Sequence, residues 1–467
     1  MKSVKHIQAI NPVFALIVLV VTGLSTVLLA TPYYPLAVLP ALAVILLLLI
    51  GRFPEYGYYL IIFMIPFTGY TTLLSDYAFL TIPKIIGILV LIVLAFRFIV
   101  NKTKPIDAKS NLWILLIIFF AINFLSACSS DYPAASFDQL RRFITAYLIF
   151  FITLIFSNRH VYLHVLPKIL AVSSGISSLI AIFGYIFNIE MLFIDITRTV
   201  GATGGPNELC MIIAFTLPFV AHLFFHAEKP GWRVIFGGVF VVNLIAMMMT
   251  YSRSGFIVTM FVLCLIGIYY FTKFKPRHIG FVILFLLLAT IAAYLYIPES
   301  YKQRIQSSAD YKTDGSIGRR VSYLIVGKEA FMKKPFFGHG PGTFGEIYAR
   351  STISRAFNRG RDGRFDLEGN KRAAHNLYID LFVGSGLFSI LIFLIILGIA
   401  FRNFNAAKAI FNKNVMPDMA SITNAYQCCF LAILICGLFG SIITYKFFWI
   451  VLALSYVALR LSHQEQR

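Results

Sequence analysis

The stretch VFALIVLVVTGLSTVLLA, residues 13–30, runs for 18 residues without a charge. An α-helix needs about 20 mostly apolar residues to cross the hydrocarbon core of a bilayer. The stretch has that length and no obvious small-residue cleavage site, so it reads as a membrane span rather than a leader. The rest of the chain repeats the signal. Of 467 residues, 59% are hydrophobic, 16% aromatic and only 13% charged. Soluble domains carry about 25% charged residues. Disorder, collagen, a disulfide scaffold and an ordinary cytosolic enzyme are excluded. The expected fold is an all-α polytopic membrane protein with about 12–14 transmembrane helices and one large, partly helical periplasmic loop.

The hydropathy pattern places spans near 11–30, 33–50, 57–75, 83–101, 111–127, 140–157, 165–187, 207–226, 231–249, 254–272, 279–297, 376–400, 424–442 and 445–461. Three regions follow: helices in 1–297, a long loop in 298–375 and helices again in 376–467. Pro66 and Gly69 interrupt the third span. The six cysteines make no metal pattern and read as small apolar packing residues.

Basic residues outnumber acidic ones 40 to 20. In a membrane protein that excess first reflects Lys and Arg gathered in cytoplasmic connections, and no nucleic-acid partner is expected. With the N-terminus inside, the inner connections hold 19 basic residues. The short outer connections hold six: Lys84, Arg141, Arg142, Arg198, Arg253 and Lys446. This bias puts both termini in the cytoplasm. The long outer loop carries the other 15 basic residues against eight acidic ones, a formal charge of +7. Long loops escape the positive-inside rule, and an anionic ligand at the outer face is the economical reason for the excess.

Within that loop, Arg319 to Met332 has a helical apolar pattern that Pro335 stops. A turn follows at Gly338-His339-Gly340-Pro341-Gly342, where His339 reads as structural. Ser351 to Arg372 is polar and basic and reads as a flexible flap.

Parity leaves His339 and His375 as the outer-face histidines. His375 ends the loop at the mouth of a span, and Asn376 and Asp380 could orient its ring. A neutral imidazole near pH 7 can take a proton from a sugar hydroxyl. Arg253, between Ser252 and Ser254 in a short outer turn, could grip phosphate bidentately. Arg319 and Arg320 open the loop helix, whose first N–H groups also favour an anion. Arg198 stands before Gly204-Gly205-Pro206-Asn207, a turn that opens a helix with Asn207 as its expected cap. Arg142, beside Arg141, is a weaker candidate at the start of the sixth span. We assign no metal and no cofactor. The outer face has no paired-carboxylate motif, and no His pair at helical ligand spacing is read in the chain.

Four features, in order along roughly residues 125–400, resemble the O-antigen ligase and polymerase superfamily of bacterial membrane glycosyltransferases. They are Gly204-Gly205-Pro206-Asn207, Ser252-Arg253-Ser254, Arg320 ahead of Pro335-Phe336-Phe337-Gly338-His339-Gly340-Pro341-Gly342, and His375-Asn376 with Gly386 eleven residues on. The family often has a further Gly where Ser389 stands. Arg319 and Arg320 fit the third feature equally within one position.

The resemblance implies a GT-C-like, metal-independent enzyme of the bacterial inner membrane. Its donor would be an undecaprenyl-diphosphate-linked glycan held by arginines, and its acceptor lipid A core or a second lipid-linked glycan. On that reading Arg253 and Arg320 or Arg319 clamp the diphosphate, with Arg198, Arg142 and Asn376 as further contacts. His375 deprotonates the acceptor, and displacement inverts the anomeric carbon. A phosphorylated core suits the basic loop and favours a ligase over a polymerase. The rival class, a transporter of the same lipid-linked glycans, predicts charges buried at mid-membrane. Here the charges crowd the span ends.

Overall fold

The computed structural model describes residues 12–31, 37, 39–70, 81–101, 110–195, 198–270, 315–357 and 370–464. It is an all-α polytopic membrane protein. Nine of the described helices are long and apolar enough to cross a membrane, and Pro40–Arg52 and Trp113–Cys128 are shorter apolar helices. In chain order the helices are α1 (Pro12–Leu29), α2 (Leu39–Arg52), α3 (Pro54–Phe63), α4 (Ile82–Asn101), α5 (Trp113–Cys128), α6 (Pro133–Phe156), α7 (His160–Ile186) and α8 (Pro206–His226). They continue as α9 (Pro230–Met249), α10 (Arg253–Tyr270), α11 (Gly315–Lys333), α12 (Phe344–Arg350), α13 (Thr352–Phe357), α14 (Leu377–Lys413), α15 (Pro417–Cys436) and α16 (Lys446–Gln464). A short antiparallel pair, Phe193–Asp195 with Arg198–Thr199, lies between α7 and α8. Apolar side chains such as Ile114, Val234 and Ile268 point outward, as a lipid-facing surface requires.

Several boundaries differ from the hydropathy pattern, each for a local reason. The expected span 57–75 stops as an α-helix at Phe63 and becomes a 3₁₀ turn over Ile65–Tyr70, where Pro66 and Gly69 end the regular helix. Helices α6, α8, α9 and α15 each begin on Pro, so α6 starts at 133 and α15 at 417, earlier than hydropathy suggests. Proline suits a first turn because its missing N–H would be unpaired there anyway. Residues 352–357 are helical, not the start of a flap. The expected span at 279–297 and the flap residues 358–369 lie outside the described residues.

The chain forms two compact units, residues 1–61 with 85–105, and 62–84 with 106–467. In the first, Arg97 donates to the carbonyls of Gly51 and Arg52 at the end of α2. The second holds all the site residues. At one of its ends the α5–α6 turn meets the long loop, where Ser130 donates to the His339 carbonyl at 2.6 Å and Lys334 pairs with Asp131 at 2.8 Å. At that same end Arg198 donates to the Thr250 carbonyl, and Arg320 lies over Phe439 in the α15–α16 turn. Within this unit the turns at 129–132, 198–205 and 250–252, residues 437–445 and the described part of the long loop lie at one end.

Helix α14 is broken at Gly386, whose φ of 71° and ψ of −169° no ordinary side chain adopts. The break exposes backbone groups that a membrane interior cannot satisfy. The Pro335–Gly340 turn satisfies them. His339 N–H donates to Val383 O at 2.9 Å, Gly340 N–H to Gly384 O at 2.8 Å, and Leu387 N–H to Pro335 O at 2.8 Å. Glycine is required on both sides of the contact: a Cβ at Gly386 would strike the Phe336 carbonyl, and one at Gly338 would strike Gly384. Asn123 of α5 completes the seal, accepting from Ser385 and donating to Ser389. The loop is thereby welded to the helix that follows His375.

Candidate active site

His375 stands two residues before α14 with a left-handed φ of 46°. That conformation is uncommon for a residue with a side chain, and its persistence means the surrounding contacts impose it. The contacts are on both sides. Asn376 caps α14, its Oδ1 accepting from the Tyr378 and Ile379 amides at 2.9 and 3.1 Å. Its Nδ2 donates to the Leu438 carbonyl at 3.2 Å, and Leu377 N–H donates to Gly437 O at 2.7 Å. Asn376 thus fixes the backbone that carries His375.

The imidazole lies 6.2 Å, centroid to centroid, from the Tyr323 ring of α11. Tyr323 belongs to a core with Val326, Ala330, Phe344, Tyr348, Ala374 and Val383. That core carries the first turns of α11, and with them Arg319 and Arg320, to the His375 side of the loop. His375 keeps an exposed edge, while the packed protein behind it withdraws water from the ring. Burial first, then Arg320, Arg319 and Arg372, hold its pKa below the ordinary imidazole value of 6.5. The ring is therefore neutral at pH 7.

The two candidate arginines now differ. Arg319 is exposed, whereas Arg320 is half-buried, lies 5.6 Å from the Phe439 ring centroid and acts more strongly on His375.

A cavity of about 380 Å³ opens between α6, the loop and the start of α14, lined among others by Arg142, Lys371, Arg372, Asp380 and Ser441. Its charges are mixed. Arg141 and Arg142 both pair with Asp138, and Lys371 pairs with Glu346 at 2.7 Å. Asp380, expected to orient His375, instead accepts a hydrogen bond from Ser441.

Arg253 and Arg198 form a second group at the same end. Arg253 starts α10 and is half-buried. Arg198 Nε donates to Thr250 O at 3.2 Å and its NH2 group approaches Asn207 Oδ1 at 3.5 Å. Asn207 is not the cap of α8; Gly205 holds that position, and the Asn207 oxygen accepts from Ser252 at 2.7 Å. The α8 opening and the Ser-Arg-Ser turn are thus one structure.

Residues 437–445 stand between the groups, touching Leu377, Asn376, Asp380 and Arg320 on one side. On the other, Gly440 packs on Met211. Sequence reasoning missed this segment, because a Gly-Leu-Phe-Gly-Ser run inside an apolar stretch reads as helix. It also missed Arg372, three residues before His375.

Residues 238–394 match the family described as O-antigen ligase. That match spans 157 of the 467 residues, about a third of the chain, and is a likeness of this segment to the family. The match contains Arg253, Arg319, Arg320, His375 and Gly386, and leaves Arg142 and Arg198 outside it. The chain is also similar to a ComP-specific O-oligosaccharyltransferase of Acinetobacter baylyi, 27% identical over 197 residues. That alignment covers 41% of this chain and 33% of the relative, so it spans a third of the relative's length.

Proposed function

We propose that the protein is an inverting glycosyltransferase that moves a glycan from undecaprenyl diphosphate to an acceptor sugar at the periplasmic face of a bacterial inner membrane, as an O-antigen ligase acting on lipid A core. The observation that carries this reading is His375 held in a left-handed turn before α14, where Arg320, Arg319 and Arg372 lie close enough for their charges to disfavour its imidazolium form. Such a set divides the work. The arginines neutralise the diphosphate as it leaves, a role that needs no divalent cation. His375 accepts the proton of the attacking hydroxyl, so the nucleophile gains charge only as the bond forms. Arg253, with Arg198 next to the Asn207 knot, grips the far side of the diphosphate. Arg142, engaged with Asp138, guards the cavity, and Asn376 positions His375 through the cap. Both termini lie in the cytoplasm. A protein acceptor is the second reading, favoured by the name of the A. baylyi relative.

The test is a reconstituted reaction with purified lipid-linked glycan, offered lipid A core, a second lipid-linked glycan or acceptor protein in parallel. Transfer to lipid A core alone supports the ligase; transfer only to one of the others replaces it with a polymerase or a protein glycosyltransferase. In the same assay Arg253→Lys should reduce kcat/KM for donor at least about tenfold, or roughly 1.4 kcal/mol, because an ammonium lacks the planar fork. Full activity in both the Lys and Ala variants would make Arg253 an interfacial anchor.

A pH profile tests the His375–arginine coupling. Neutral imidazole is the active form, so kcat/KM should rise through a midpoint below 6.5 and stay high above it. Arg320→Ala removes a positive charge that disfavours imidazolium, so the midpoint should move to higher pH. The variant then loses proportionally more activity at pH 6 than at pH 8. An unmoved midpoint would separate Arg320 from the base.

A further inference from the structure

At the end of the larger unit opposite His375, two histidine pairs occur at one-turn spacing, His160 with His164 on α7 and His222 with His226 on α8. Residues four apart share a helix face. The first turn of α15 brings Asp418 to both helices. Its Oδ1 lies 3.8 Å from His222 Nε2 and 4.0 Å from His226 Nε2, and its Oδ2 lies 3.5 Å from His164 Nε2. His222 is buried, and Asp418 remains half exposed and reachable from solvent. The ligand atoms of His222, His226 and Asp418 all lie within 4.8 Å of one another.

The far nitrogens fix what the near ones can do. His226 Nδ1 lies 3.0 Å from the His222 carbonyl, which can only accept, so Nδ1 carries the proton. In the neutral ring, Nε2 then turns a lone pair toward the Asp418 carboxylate. His222 Nδ1 is held in turn by the Ser421 hydroxyl at 3.1 Å, itself 3.2 Å from the Tyr270 hydroxyl. Such outer partners are the usual means of aiming metal-binding imidazoles. The His226 lone pair and the carboxylate repel unless a positive charge stands between them. The His222 and His226 rings are stacked with centroids 4.4 Å apart, with both Nε2 atoms on the Asp418 side. A single divalent ion meets all three ligands at once.

We propose that His222, His226 and Asp418, with His164 as fourth ligand, form a zinc-class transition-metal site that clasps α7, α8 and α15. Imidazole nitrogen with one carboxylate suits Zn²⁺ and its neighbours rather than Ca²⁺ or Mg²⁺, which prefer oxygen. Ligands 2.0–2.1 Å from a tetrahedral ion stand roughly 3.3 Å apart, so the His222, His226 and Asp418 atoms, now within 4.8 Å of one another, draw inward on binding. His164, whose Nε2 lies 3.2 Å from Met419 Sδ, turns toward them. The site is structural and separate from the transfer chemistry at the other end.

The experiment uses the full chain, purified in detergent on a non-histidine tag, stripped with chelator and titrated with Co²⁺. We expect saturable visible d–d bands of tetrahedral intensity at about one Co²⁺ per chain, lost on adding Zn²⁺. Zn²⁺ but not Mg²⁺ should raise the thermal midpoint of the stripped protein. Asp418→Asn and His226→Gln should each remove the bands, while His375→Ala keeps them. Absence of saturable bands in the unaltered protein overturns the site, as does their persistence in both Asp418→Asn and His226→Gln. The titration of the unaltered protein decides the matter should either variant fail to insert.

Discussion

His375→Ala should lower glycan transfer at pH 7 by about 10²–10⁴-fold, the range a positioned general base supplies. Donor binding should change little, because the proposed assignment gives the diphosphate to arginines on α10 and α11. Replacing an exposed-edge residue with left-handed φ also costs little in folding, since Ala strains that backbone about as His does. His375→Gln is the sharper variant. Its amide can still hydrogen-bond a sugar hydroxyl but cannot take the proton at neutral pH. Under base catalysis both variants lose kcat together. Near-normal turnover in the Gln variant would make His375 an acceptor-positioning group. The same outcome in the Ala variant would remove it from the site. Chemical rescue discriminates further: added imidazole should restore part of the Ala variant's rate and none of the rate lost in Arg253→Lys. The lowered pKa of His375 shapes this result. A ring kept neutral is available over a wide pH range but is a weaker base, so the arginines that hold the leaving group must carry much of the barrier reduction.

The fold was legible where physics acts on single segments. Span-length apolar runs read directly as helices. His375 and the arginines were visible for the same reason: polar residues are scarce in such a chain, so those at one face stand out. What depends on two segments meeting was not legible. Nothing in an apolar run around Gly386 tells whether the helix continues or breaks, since the partner that satisfies the break lies some fifty residues earlier, at Pro335–Gly340. The turn at residues 437–445 hides in an unbroken hydrophobic stretch for the same reason. Asn207 has the residue type of a cap, yet Ser252 and Arg198 claim its oxygen instead. The reading that no His pair has helical ligand spacing is corrected by His160/His164 and His222/His226, each four residues apart on one helix. Only the tertiary structure adds Asp418.

Gly386→Ala should destabilise the protein by at least about 3 kcal/mol and disable transfer with it. Two costs combine. The φ of 71° with ψ near −169° belongs to a region open essentially to glycine alone. The added methyl would also meet the Phe336 carbonyl, which is backbone and cannot rotate away. If the turn retreats to make room, Val383 O, Gly384 O and Leu387 N–H lose the partners they have in Pro335–Gly340. Unpaired backbone groups in a buried or lipid-bounded site cost a few kcal/mol. If the turn stays, the strain remains. Where the turn retreats, α11 loses its fixed place relative to His375, and Arg319 and Arg320 move with it. The control is Gly398→Ala in the same helix, where a new Cβ meets nothing within 4 Å. There the exchange should be neutral or stabilising by up to about 1 kcal/mol, since alanine is the better helix former. Thermal unfolding in detergent, with transfer measured in parallel, compares the two. Equal stability of the two variants would mean that α14 runs unbroken through residue 386, and that the loop is held to it by something other than the backbone bonds seen here.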